Sequence, residues 1–190
     1  MKKIICTTIF ALIFIFNAFG QTSVCDPPEA LKTIYAVEHI RINLLDTLNK
    51  QLYVREVGPN RGPEVDNYLR TVNMSLAQPW CAAFVGSNLF WQGVKNPKTA
   101  WAPDYAAEKD IIWKNKIKIK DTPRTGDVAT YYYTNIGRIG HVGFFEKVDK
   151  DGYFITIEGN TNSAGSNEGD GVYRKKRDPD KVYAISRYIK

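Results

Sequence analysis

Histidine and cysteine are scarce in this chain, with two and three copies respectively in 190 residues. A structural zinc site of the usual kind needs four such ligands, and here it would have to recruit scattered carboxylates. No such zinc site is therefore expected, and no other cofactor is expected either. Cys6 falls in the leading apolar segment, which leaves Cys25 and Cys81 for the rest of the chain. A single disulfide between them would suit an exported domain. However, Cys25 lies in a Gln/Thr/Ser/Pro-rich leader and Cys81 in an aromatic, alanine-rich segment, so the expectation is two free thiols, with the role of Cys25 open.

Long hydrophobic runs are missing too, apart from one. Met1-Lys2-Lys3 is a short basic start, residues 4–16 are almost wholly apolar, and no charge follows until Asp26. A spanning helix needs about 20 consecutive apolar residues, whereas this run has the length of a signal-peptide core. Ala18 and Gly20 supply the small residues that precede a cleavage site. Residues 1–20 are read as a signal peptide cut after Gly20, in preference to an uncleaved anchor or a lipid on Cys25. The mature protein is then exported, periplasmic or secreted, with no stable membrane insertion.

Acidic residues are in the minority, with 20 Asp and Glu against 26 Lys and Arg, a formal +6. Without Lys2 and Lys3 the balance is 24 against 20, or +4. That excess helps approach to any anionic polymer, and export disfavours nucleic acid as the partner. The 170 residues from Gln21 onward fit one domain.

What is present has a clear order. Leu44, Leu45, Leu48 and Leu52 recur at helical spacing over residues 42–52, while residues 36–42 are ambiguous between helix and strand. Residues 58–62 form a turn cluster, and Pro63 opens a second helix to about Val72. A third helix is expected over 79–91, and a short one within 101–110. After Gly126 the period changes to two: strands are expected at 127–133, 141–148, 153–158, 171–175 and 182–188. Residues 160–171 are Gly/Asn/Ser-rich and read as an exposed loop. Helices first and an antiparallel sheet afterwards give an α+β fold.

Cleavage of an amide by a thiol requires a nucleophile, a base, a group to orient the base, and donors for the oxyanion. Cys81 stands at a helix start, where unpaired N–H groups favour an anion. His141 opens a strand directly after Gly140, a position that can face a cleft, and Gly143 leaves room beside it. His39 has no such setting and reads as structural or surface. Glu158 and Asn160 end the next strand, and in an extended segment they share a face, so a hairpin would turn both toward His141.

Glu56-Val57-Gly58-Pro59-Asn60-Arg61-Gly62-Pro63, Pro79-Trp80-Cys81-Ala82-Ala83-Phe84-Val85, Thr125-Gly126-Asp127-Val128, Gly140-His141-Val142-Gly143 and Ile157-Glu158-Gly159-Asn160 occur in that order. Together they resemble the CHAP domain, the cysteine- and histidine-dependent amidohydrolase/peptidase family, over roughly residues 43–175. The resemblance implies a papain-like α+β fold, with N-terminal helices packed on an antiparallel β-sheet, that cuts amides in peptidoglycan. It places the nucleophile on Cys81, the base on His141, and the acidic and amide members on Glu158 and Asn160. Some members bind calcium through clustered aspartates; no such loop precedes Cys81, so no metal is expected. Residues 21–42 form a leader and extension, and 43–190 the catalytic domain. No separate wall-binding module is expected after the core.

Trp80, Gln78 and Tyr131 are candidates for contact with substrate, Gln78 as a second oxyanion donor or else a helix cap. Other aromatics, among them Trp101 and Tyr153, either line a groove or belong to the core. Asn60, Arg61 and Asp66 either brace the fold or touch substrate, and the 161–170 loop is the expected specificity element. The expected activity is that of an N-acetylmuramoyl-L-alanine amidase or endopeptidase acting through a thioester. The expected partners are peptidoglycan and an inhibitor or immunity protein, and the expected state is a monomer. The rivals are a protein-directed cysteine protease, an acyltransferase, and a catalytically silent wall-binding or inhibitory protein.

Overall fold

A computed structural model describes residues 28–115, 117, 121–163 and 169–190. The expected signal segment, Cys25 and residues 164–168 of the expected specificity loop lie outside the described residues. The chain divides into two units, Met1–Tyr35 and Ala36–Lys190. Of the first, the described part is the opening of one helix.

That helix, α1 (Glu29–Asn49), begins directly after Pro28 and resolves the ambiguous 36–42 stretch as helical. It runs unbroken through residues 42 and 43. Beyond Ala36 it buries Leu44, Leu48 and, less predictably, Arg41. The helix α2 (Pro63–Thr71) buries Val65, Tyr68 and Leu69, as its helical spacing requires. In α3 (Cys81–Trp91) every residue from Cys81 to Leu89 is buried. A helix apolar on all sides belongs in the interior, and α3 packs there against α2 and the sheet.

The sheet is antiparallel with six strands: β1 (Ile111–Lys114), β2 (Val128–Tyr133), β3 (Arg138–Val148), β4 (Phe154–Thr161), β5 (Gly171–Arg177) and β6 (Ala184–Ser186). Their order is β1-β6-β2-β3-β4-β5. The short β1 falls outside the strands expected from the sequence, and Ala102–Ala106 is a single 3-10 turn. The fold is α+β and papain-like, with the helices preceding the sheet in the chain. The main core joins Leu44, Leu69, Trp80, Phe84 and Leu89 to Val128, Val142, Phe144 and Ile157 of the sheet. Ala129, Tyr131, Phe145, Phe154, Val182 and Ile185 form a smaller cluster.

Asp127, fully buried at the start of β2, closes the structure electrostatically. It accepts from Arg41 of α1 at 3.1 Å, Arg187 Nη2 at 2.8 Å and the Arg124 backbone N–H at 2.9 Å. Burial of a carboxylate is tolerated because charged donors replace its water. The Thr-Gly-Asp stretch thus fastens α1 and the end of the chain to β2.

Candidate active site

Cys81 is the first residue of α3, and its position is set by the residue before it. Trp80 is fully buried, stacks on Tyr68 with centroids 5.6 Å apart, and donates its indole N–H to Glu56 Oε1 at 2.7 Å. The second oxygen of Glu56 receives the Asn60 backbone N–H at 2.8 Å. Within the same turn Arg61 grips Asp66 with two bonds of 2.9 and 3.0 Å. The 56–63 segment therefore braces the fold, and Arg61 and Asp66 belong to that brace.

This corrects the placement of Trp80 against substrate: with no exposed surface it is a core residue that anchors the start of α3. Gln78 is exposed and does not line the cleft, and the N-cap of α3 is Trp80, without a side-chain cap. His39 is an exposed residue of α1 within 3.0 Å of Asn43 Nδ2. Cys81 is a free, buried thiol.

His141 lies on β3 directly opposite Tyr131 of β2. Its Nε2 is 2.8 Å from Glu158 Oε2, and its ring lines the same cleft as Cys81. With Nε2 committed to Glu158, Nδ1 is the nitrogen left for the thiol. Burial opposes a charge on the imidazole, but its interactions with Cys81 and with the Glu158 carboxylate outweigh it, pushing the pKa up to about 9.

Glu158 is completely buried, yet its carboxyl sits far below the usual range. Burial alone would raise it; hydrogen bonds from Arg177 and His141, with their charges, overcome that. Arg177 Nε donates to Oε1 at 2.8 Å and Nη2 to Oε2, while Tyr131 and Thr156 donate hydroxyls to Oε1 at 2.9 and 2.6 Å. An ionised carboxylate only accepts, so His141 Nε2 carries a proton and the tautomer is fixed.

Two glycines make this packing feasible. A Cβ on Gly143 would lie 2.4 Å from Glu158 Cγ, and one on Gly159 would lie 2.6 Å from the Trp80 ring and 2.7 Å from that of Phe84. Gly143 therefore makes room for Glu158, and Gly159 lets β4 rest on α3 beside Cys81.

The expected shared face of Glu158 and Asn160 does not hold. Asn160 adopts φ 52 within an irregularity of the β4–β5 pairing, which breaks strand alternation between the two residues. Asn160 lines a cleft of about 260 Å³ with Cys81, His141, Pro79, Tyr133 and Arg138, whereas Glu158 lies behind His141. Tyr131 is likewise not a groove residue: it is buried, and its hydroxyl serves Glu158.

Residues 73–160 match the family model of the CHAP domain. Over that segment, which holds Cys81, His141, Glu158 and Asn160, the chain is similar to CHAP domains. No curated protein and no solved structure matches the chain significantly. CHAP domains are typically amidohydrolases or peptidases and are typical of proteins that act on cell walls. Arg177 and Thr156, which the motifs do not include, are the residues that sequence reasoning missed. Thr156 shares a strand face with Glu158, a usable signal. Arg177 lies past the matched segment and opposite Phe154 in the β4–β5 register, so no spacing rule pairs it with Glu158. No helix among the described residues is long and apolar enough to cross a membrane.

Proposed function

We propose that this chain is an exported cysteine hydrolase that cleaves amide bonds in peptidoglycan, as an N-acetylmuramoyl-L-alanine amidase or endopeptidase. The observation that carries the reading is a single imidazole that lines one cleft with a helix-start cysteine and is held, through Nε2, by a buried carboxylate. A nucleophile, a base and an orienting group gathered at one cleft constitute the logic of thiol catalysis.

In this mechanism His141 takes the Cys81 proton, and the sulfur attacks the amide carbonyl. The oxyanion meets the Cys81 backbone N–H at the start of α3. His141 then protonates the leaving amine, the C–N bond breaks, and a thioester remains. Water, deprotonated by His141, attacks the thioester carbonyl, and the C–S bond breaks to release the acid and restore the thiol. Glu158 holds the ring in its donating tautomer throughout, and Asn160 assists from the cleft wall.

Purified wall is the test substrate. Wild type should release soluble fragments whose masses identify the cut bond, and Cys81→Ala should release none. Equal release by the two proteins would sink the assignment.

A further inference from the structure

The cleft around Cys81 is lined by Arg138, Arg177 and His141, and among the described residues that line it there is no carboxylate. Glu158 does not compensate, because both its oxygens are engaged behind His141. Arg138 is exposed at the start of β3, with its guanidinium carbon 4.3 Å over the ring of Trp101, itself 49% exposed. Stacking of this kind orients a guanidinium without consuming its N–H groups. Among the described residues the one hydrogen bond of Arg138 is from Nη1 to the Ile139 carbonyl, at 3.0 Å. Arg177 commits Nε and Nη2 to Glu158, and its side chain keeps 25% exposure where it lines the cleft. Pro79, Tyr133 and Ile136 supply apolar wall, and low-dielectric walls strengthen a field of one sign.

We infer that this cleft selects substrates carrying a carboxylate beside the scissile amide, with Arg138 as the specificity-determining residue and Arg177 Nη1 as a second donor. This deepens the hydrolase reading by naming what the substrate presents. A planar fork suits a carboxylate better than a lysine ammonium does, and Arg138, unlike Arg177, has no part in holding Glu158.

Two reagents test the cleft without relying on hydrolysis. Iodoacetate and iodoacetamide alkylate a thiol by the same displacement, in which sulfur bonds to the methylene carbon and iodide leaves, but only the first carries a carboxylate. Peptide mass mapping counts Cys81 apart from Cys25. The iodoacetate-to-iodoacetamide rate ratio at Cys81 should exceed that of glutathione by about threefold or more. It should fall about threefold in Arg138→Gln, fall less in Arg138→Lys, which keeps the charge but loses the fork, and shrink in about 1 M salt. Because both reagents meet the same folded molecules, a loss of folded protein cancels in the ratio. A ratio equal to that of glutathione, or one unchanged in Arg138→Gln, overturns the inference.

The second arm uses wall fragments, native or with their carboxyls converted to amides. Wild type should cut the native material faster, and Arg138→Gln should narrow the difference; equal cutting by wild type overturns the substrate assignment. No cutting of either material alongside a normal alkylation ratio means that the hydrolase reading fails while the anion-selecting cleft stands.

Discussion

Arg177 donates from Nε and Nη2 to the two oxygens of Glu158, so the carboxylate that holds His141 is itself held. Glu158 is wholly buried, and among the described residues Arg177 is the one arginine or lysine that bonds it. Ionisation of a buried acid depends on such partners.

Arg177→Gln should therefore destabilise the fold by about 3 kcal/mol, the lower end of the range for breaking a buried ion pair, since Arg177 is partly exposed. Thermal and denaturant unfolding measure this. Activity per folded molecule should fall as well, and Arg177→Lys should restore part of both. Stability equal to wild type would show that the pair contributes nothing.

Tyr131→Phe removes one of the hydroxyls serving Glu158 while keeping the buried ring. A hydrogen bond to a charged group contributes about 1.5–3 kcal/mol, and a comparable loss in unfolding free energy is expected. If Tyr131 instead touched substrate, the change would appear in KM with stability untouched.

Gly143→Ala places a Cβ against Glu158 Cγ. Strand φ/ψ accepts alanine, so the cost falls on Glu158, which must move away from His141. Turnover should drop by about tenfold or more, in keeping with the sensitivity of positioned groups to displacements near 1 Å. An unchanged kcat would mean that the His141–Glu158 contact has no catalytic weight.

Trp80→Phe removes the indole N–H that bonds Glu56. The expected result is a stability loss of about 1–3 kcal/mol with kcat/KM per folded molecule nearly unchanged. A large rise in KM would instead return Trp80 to the substrate groove.

The pH dependence follows from His141, raised from 6.5 to about 9. A histidine whose folded pKa is raised adds stability that is fully present below 6.5 and is lost as pH rises through about 9. The melting temperature of wild type should thus decline between those values more steeply than that of His141→Gln. Parallel curves would show that His141 carries no extra proton in the folded state.

The sequence by itself determined the order of the three α-helices and of five of the six strands, all but β1, since periods of 3.6 and 2 are local properties of the chain. It also marked Cys81, His141, Glu158 and Asn160, because their flanking glycines, prolines and aromatics form contiguous motifs. Only tertiary structure decided what surrounds them. Trp80 and Tyr131 have the same amphipathic chemistry in a groove or a core, and their hydrogen-bond partners, Glu56 and Glu158, are 24 and 27 residues away along the chain. Asn160 departs from strand alternation because the β4–β5 pairing is irregular there, a consequence of two segments meeting. Arg177 joins the site through strand pairing and side-chain reach, neither of which leaves a local mark in the sequence.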